Sequence, residues 1–164
     1  METIISNKIT QKFWLTGLIL VFFLGSCAVS KQSRNQKTSV VVTQARSYIG
    51  TPYKYGGTTI MGMDCSGLLM RSFEYVDLYI PRTSHDQSKM GKPVSVDMLR
   101  PGDLVFFSSK KGRNRVSHAG LVTEIRGKDE IMFVHASSSR GVVEDNLMSR
   151  YYQSVFVKAR RVRF

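Results

Sequence analysis

The sequence predicts an α+β fold in which helices come first and an antiparallel sheet follows. Three observations lead there: two stretches with apolar residues at helical spacing, four strand-like runs after Pro101, and a hairpin-length loop, Gly127-Lys128-Asp129, between the second and third of those runs. A parallel α/β sheet would instead alternate strands with helices.

The chain has 164 residues, enough for one ordinary domain, and no repeat of about 20 to 50 residues marks a solenoid. Its first segment is set apart. Lys8 and Lys12 precede an apolar run of 12 residues, Phe13 to Leu24, which ends at Gly25-Ser26-Cys27. A membrane-spanning helix needs about 20 apolar residues, so this run suits a signal peptide over residues 1–26. Leu24-Gly25-Ser26-Cys27 resembles the bacterial lipobox, in which a cysteine becomes the lipid-bearing N-terminus. That resemblance implies lipidation at Cys27 and a membrane-anchored protein facing the periplasm. Ala28 is unlike the inner-membrane retention signals of such proteins, so the outer membrane is expected. Residues 27–39 contain the polar, mostly basic run Lys31 to Ser39 and read as a tether; the domain proper is expected over residues 40–164.

Lys and Arg number 24 against 12 Asp and Glu, for a net charge of +12. Loss of Lys8, Lys12 and Glu2 with the signal leaves 22 basic and 11 acidic side chains, so the surface favours anionic neighbours. In an exported, anchored protein those are phospholipid headgroups or wall polymer, and no nucleic-acid partner is expected. The export reading also isolates Cys65. With Cys27 lipidated it is the only other cysteine, and an unpaired cysteine in an oxidising compartment is a candidate for reactivity. A Cys27–Cys65 disulfide or an inert buried thiol are the alternatives.

Residues Val40 to Ile49 have helical periodicity and are stopped by Gly50 and Pro52. A second helix runs from Cys65 to about Tyr75, with Leu68, Leu69, Phe73 and Val76 inward and Asp64 as N-cap. Strands are expected over Asp103–Phe107, Val116–Ile125, Glu130–Ala136 and Ser154–Val162.

Cys65, just inside its helix, lies where backbone N–H groups and the dipole favour a thiolate. Asp64 opposes that, and a neighbouring protonated histidine would offset it. His118 opens the second strand and His135 closes the third, so a hairpin brings both to one end of the sheet. A two-residue connection would place them on one face and a three-residue connection on opposite faces, and sequence does not choose. On one face, His118 can accept the thiol proton while His135 orients it. Zinc held by these three residues is the metal alternative, disfavoured by their long spacing. His85 reads as surface. Lys110-Lys111-Gly112-Arg113-Asn114-Arg115 reads as a solvated basic loop.

Asp64-Cys65-Ser66-Gly67-Leu68, Ser117-His118-Ala119-Gly120-Leu121-Val122 and Val134-His135-Ala136 together resemble the NlpC family of cell-wall cysteine endopeptidases. So do Pro52-Tyr53-Lys54-Tyr55-Gly56-Gly57, Pro81-Arg82-Thr83-Ser84 with Gln87, and Arg100-Pro101-Gly102-Asp103-Leu104-Val105-Phe106-Phe107. The resemblance implies a circularly permuted papain-like fold, its cysteine helix packed on a five- or six-stranded antiparallel sheet. It implies catalysis by Cys65, His118 and His135 with no cofactor and no metal. Tyr53 takes an oxyanion or substrate-positioning role, and Asp64 and Ser66 line the substrate pocket. The substrate implied is a peptidoglycan stem peptide, cut between D-glutamate and the diamino acid or, as in some single-domain relatives, at the D-alanyl-diaminopimelate cross-link. A wall-binding scaffold or an acyltransferase on the same fold are the competing readings, and a monomer is expected. Tyr55 departs from the tryptophan that many relatives carry in that loop.

Overall fold

The computed structural model describes residues 32–110 and 115–163. The segment expected to be a signal peptide, Cys27 and most of the basic loop before Arg115 lie outside the described residues. The chain divides into two compact units, Met1–Gln36 and Lys37–Phe164. Of the first, only residues 32–36 are described; they are helical and exposed.

The first helix, α1, covers residues 32–47, so the stretch read as a tether is helical well before Val40. Val41, Val42 and Ala45 supply its buried stripe. A turn at residues 48–50 ends it, with Gly50 at φ +93°. The chain then covers one sheet edge: Gly50 N–H donates to Val142 O at 2.9 Å and Val142 N–H to Thr51 O at 2.8 Å.

A small hairpin follows, β1 (Thr58–Thr59) with β2 (Gly62–Met63), and then α2 (Cys65–Glu74) and α3 (Ser84–Gln87). Six strands build the main sheet: β3 (Lys92–Val94), β4 (Leu104–Phe107), β5 (His118–Ile125), β6 (Ile131–Ser137), β7 (Gly141–Asn146) and β8 (Phe156–Arg161). Their order is β3-β8-β4-β5-β6-β7 and every pairing is antiparallel. The sheet is therefore the α+β one expected, at the upper of the two strand counts.

Several elements differ from the sequence expectation. The strand expected from Ser154 begins at Phe156, because α4 (Arg150–Val155) occupies the residues before it. That helix buries Val155 and lays Tyr152 edge-on over Phe133, with ring centroids 4.8 Å apart. Strand β7 has no strand-like signature, since Glu144-Asp145-Asn146 are poor strand formers. Strand β3 contains Pro93, tolerated because β3 is an edge.

Alternation along the strands divides the core in two. Leu104, Phe106, Leu121, Val134 and Ala136 pack with Val41, Leu68, Leu69 and Phe73 of the helices. Val105, Phe107, Val122, Phe133 and Ala159 pack on the other face with Leu147 and Val155. Fully burying each Val, Leu or Phe among them contributes about 1.5–3 kcal/mol, so the two faces anchor the sheet on which the histidines stand.

Candidate active site

The N-terminus of α2 is fixed by side chains close to it in sequence. Asp64 Oδ1 accepts from Gly67 N–H at 2.7 Å, which caps the helix, and Oδ2 accepts from Gly56 N–H at 2.9 Å. Arg82 donates to both carboxylate oxygens, at 2.9 and 2.7 Å, and to Ser66 Oγ at 2.8 Å. Burial alone would raise the Asp64 pKa, but Arg82 and the two N–H groups outweigh it and hold the carboxyl below its usual range. Gln87 Nε2 ties the first turn from behind, donating to Ser66 O at 3.0 Å. Gly67 is required here because a Cβ would collide with the Gly57 carbonyl.

Cys65 is a buried free thiol at this helix end. Burial pushes it up to about 11; the Ala119 N–H pulls the other way, and Asp64 adds to the rise. Ala119 follows His118, so the backbone group that acts on the thiol belongs to the start of β5. Tyr53 is half-buried beside it, bridged to Met63, and its hydroxyl pKa is raised by burial and then by Cys65 and Asp64.

His118 and His135 do lie on one face, through a device that the sequence conceals. The loop between β5 and β6 leaves Ile125 opposite Ile131 and Glu124 opposite Met132; continued without interruption, that register would set the histidines on opposite faces. Thr123 is the extra residue of a β-bulge, after which Val122 pairs with Phe133 and Gly120 with His135. His118, two residues from Gly120, therefore shares the face of His135. Thr123 Oγ1 donates to Glu144 Oε1, which also accepts from Arg46 Nε at 2.8 Å, so the bulge is pinned to both β7 and α1.

The two rings meet at 90°, with His118 Nε2 and His135 Nδ1 3.0 Å apart. His135 stacks on Phe133 at 4.9 Å, and Gly120 leaves room for that ring, since a Cβ would lie 2.6 Å from Phe133 Cδ2. Burial, and then His135, pushes His118 down to about 3; His135 is lowered by burial despite Asp145. Burial thus works against the protonated histidine expected beside Cys65 and favours a pair of thiol and imidazole.

Sequence reading missed the far side of His135. Asp145 Oδ2 lies 3.0 Å from its Nε2, Tyr152 Oη lies 2.9 Å from the same nitrogen, and Arg140 braces the carboxylate. Asp145 is on the unrecognised strand and Tyr152 on the unrecognised helix, so only the correct assignment of those elements would have pointed to them. His85 is exposed, as expected. Among the described residues no group of three or more His, Cys, Asp or Glu is arranged to hold a metal ion.

A capped helix presenting a thiol at the end of an antiparallel sheet that carries paired histidines defines a papain-like cysteine peptidase domain. The pattern of the NlpC/P60 family matches residues 50–161, and the chain belongs to that family. It is 36% identical over 154 residues to "Probable endopeptidase NlpC" of Escherichia coli (strain K12), covering 88% of this chain and 96% of that protein. It is 39% identical over 126 residues to the same organism's "Murein DD-endopeptidase MepS/Murein LD-carboxypeptidase", covering 76% of this chain and 62% of that protein. "Gamma-D-glutamyl-L-lysine dipeptidyl-peptidase" of Bacillus subtilis (strain 168) is 34% identical over 100 residues, 61% of this chain and 34% of that longer protein. Among solved structures, an NlpC/P60 family protein from Bacillus cereus ATCC 10987 superposes with a TM-score of 0.67 at 29% identity, over 76% of this chain and 39% of that one.

Proposed function

We propose that this protein is a lipid-anchored endopeptidase that cuts peptidoglycan stem peptides between the γ-carboxyl of D-glutamate and the diamino acid that follows, using Cys65 as nucleophile, His118 as base and His135 as its orienter. The carrying observation is the pairing of His118 Nε2 with His135 Nδ1 at 3.0 Å, on the sheet that receives the helix whose capped N-terminus bears the buried free thiol of Cys65. His118 spends Nε2 on His135, which leaves Nδ1 to take the thiol proton as sulfur attacks the γ-carbonyl carbon. The Tyr53 hydroxyl and the N–H groups at the start of α2 stabilise the oxyanion. His118 then passes its proton to the departing amine, leaving a thioester. Water, deprotonated by His118, hydrolyses that thioester and frees the D-glutamate γ-carboxyl and the thiol.

Asp64 and Ser66 form a wall of the pocket together with Arg82, their charge and hydroxyl already engaged by it. The bond assignment is supported by the relative named for γ-D-glutamyl-L-lysine. The murein DD-endopeptidase at 39% identity favours a second reading, the D-alanyl-diaminopimelate cross-link. Digestion of purified wall and defined muropeptides, with mass spectrometry of the new termini, separates the two. Free diamino-acid amines matched by D-glutamate carboxyls support the first; loss of cross-linked dimers without stem shortening supports the second; no peptide cleavage by folded, reduced protein rejects both.

Anchoring at Cys27 in the outer membrane, with the domain facing the periplasm as a monomer, belongs to the same reading and rests on Leu24-Gly25-Ser26-Cys27. An unmodified N-terminal peptide in the native protein, or a Cys27→Ser variant that still partitions with membranes, contradicts the anchor.

A further inference from the structure

Strand β7 places Asp145 opposite Phe133 and Val143 opposite His135, so Asp145 is a diagonal neighbour of His135 on the histidine face. Helix α4 brings Tyr152 to the same point. His135 Nε2 thus faces two oxygens, Asp145 Oδ2 at 3.0 Å and Tyr152 Oη at 2.9 Å. The hydrogen of the Tyr152 hydroxyl is committed, because it donates to Asp145 Oδ2 at 2.6 Å. Arg140 donates to both oxygens of that carboxylate.

These contacts leave one tautomer. An ionised carboxylate only accepts, and a phenol oxygen whose proton is engaged elsewhere also accepts. A bare Nε2 would point its lone pair at both of them, within hydrogen-bonding distance, from a histidine that is itself buried. His135 therefore carries its hydrogen on Nε2 and its lone pair on Nδ1. The 3.0 Å contact between His135 Nδ1 and His118 Nε2 then requires His118 to donate from Nε2. His118 Nδ1 is left with a lone pair.

We infer that Asp145, with Tyr152 engaged on it, is a positioning residue that fixes the tautomers of both histidines in sequence and so keeps His118 Nδ1 unprotonated for the Cys65 proton. When His118 takes that proton, its new charge is met through neutral His135 by the Asp145 carboxylate, and no proton need leave Nε2 of either ring. Arg140 keeps the carboxylate ionised, and Phe133 beneath the His135 ring keeps it in plane. The inference rests on the reading of Cys65 and His118 given above, although the tautomers can be read without activity.

The test is nitrogen NMR of histidine-labelled full-length protein at neutral pH, with kcat and KM measured on the same muropeptide for the wild type and for Asp145→Asn. Both His118 and His135 should show a protonated Nε2 and a bare Nδ1. In Asp145→Asn the amide can present its NH2 to His135 Nε2, so the tautomers should invert and kcat should fall steeply, by up to about 10⁴-fold as for a catalytic histidine left in the wrong tautomer, with KM little changed. Wild-type protein with the hydrogen on Nδ1 of His135 overturns the inference. So does an Asp145→Asn variant that keeps the native tautomers and kcat while losing only thermal stability. If that variant does not fold, the wild-type spectrum decides alone. Persistent hydrolysis by Cys65→Ala would instead reject the nucleophile reading, whatever the tautomers, so the two failures are distinguishable.

Discussion

Nearly every side chain that fixes the N-terminus of α2 lies between Tyr53 and Gln87, and the principal ones are joined by the hydrogen bonds of Asp64 and Arg82. The histidine end is assembled differently: His118 comes from β5, His135 from β6, Asp145 from β7 and Tyr152 from α4, and a bulge at Thr123 sets their phase. One end is local chain geometry, robust to what happens elsewhere. The other depends on strand register, where a one-residue slip moves a side chain to the opposite face. Errors in the two regions should therefore fail in different ways, the first by loosening the helix end and the second by dispersing the proposed catalytic groups.

The largest effects should come from the reacting groups themselves. Cys65→Ala should abolish muropeptide hydrolysis, His118→Ala should nearly do so, and His135→Ala should leave a reduced activity, because an orienter is less essential than a nucleophile or base. Steady-state assays on one defined muropeptide give the order, and an unaffected Cys65→Ala enzyme would refute the mechanism.

A pair of length changes in β5 then separates register from chemistry. One residue inserted directly after Val122 adds a ladder step and should carry His118 to the face of Leu121, abolishing hydrolysis while Cys65 remains open to alkylation. Deleting Thr123 removes the extra residue yet leaves Val122 opposite Phe133 and Glu124 opposite Met132, so measurable activity should survive. Equal activities in the two variants would show that the bulge does not set the phase.

At the helix end the expected effect is smaller. Arg82→Gln leaves the buried Asp64 carboxylate without its bidentate partner and should cost roughly 1–3 kcal/mol, toward the lower end because Arg82 is partly exposed. Calorimetry should record a fall in Tm of roughly 2–8 °C. Arg82→Lys should recover only part of it, since a single ammonium cannot match the fork. No change in Tm for either variant would mean that the pair is not what steadies the cap.

Much of this division was visible in the residues beforehand. The Asp64 cap, the start of α2 at Cys65 and four of the six main strands follow from capping chemistry and periodicity, which are local. The shared face of His118 and His135 did not follow, because parity depends on a loop and a bulge whose residues, Thr123 above all, look like ordinary strand. Asp145 stayed hidden because a polar Glu144-Asp145-Asn146 run gives no strand signal and finds its place only by pairing with β6. Residues 32–36 form helix although they are polar and exposed and give no apolar periodicity to read.

The smallest expected change is in pH dependence. His118 is held down to about 3 and Cys65 up to about 11, so the competent thiol–imidazole pair persists between those values. Activity should not drop as pH falls through 6.5, and kcat/KM should vary by no more than about twofold from pH 5 to 9. Stability behaves otherwise: it is full above pH 6.5 and declines toward pH 3, as the unfolded chain takes up protons that the folded histidines refuse. An activity limb at 6.5 in protein that is still folded would show that His118 titrates as an ordinary histidine.

The claim beneath all of these is that the Cys65 sulfur is the attacking atom. It is tested most directly by alkylating the protein with iodoacetamide in timed steps, measuring at each step the modified fraction of Cys65 by mass spectrometry and the rate of muropeptide hydrolysis. Residual activity should fall in strict proportion to unmodified Cys65, and bound stem peptide should slow both losses together. Protein fully alkylated at Cys65 that still hydrolyses the peptide would contradict the account.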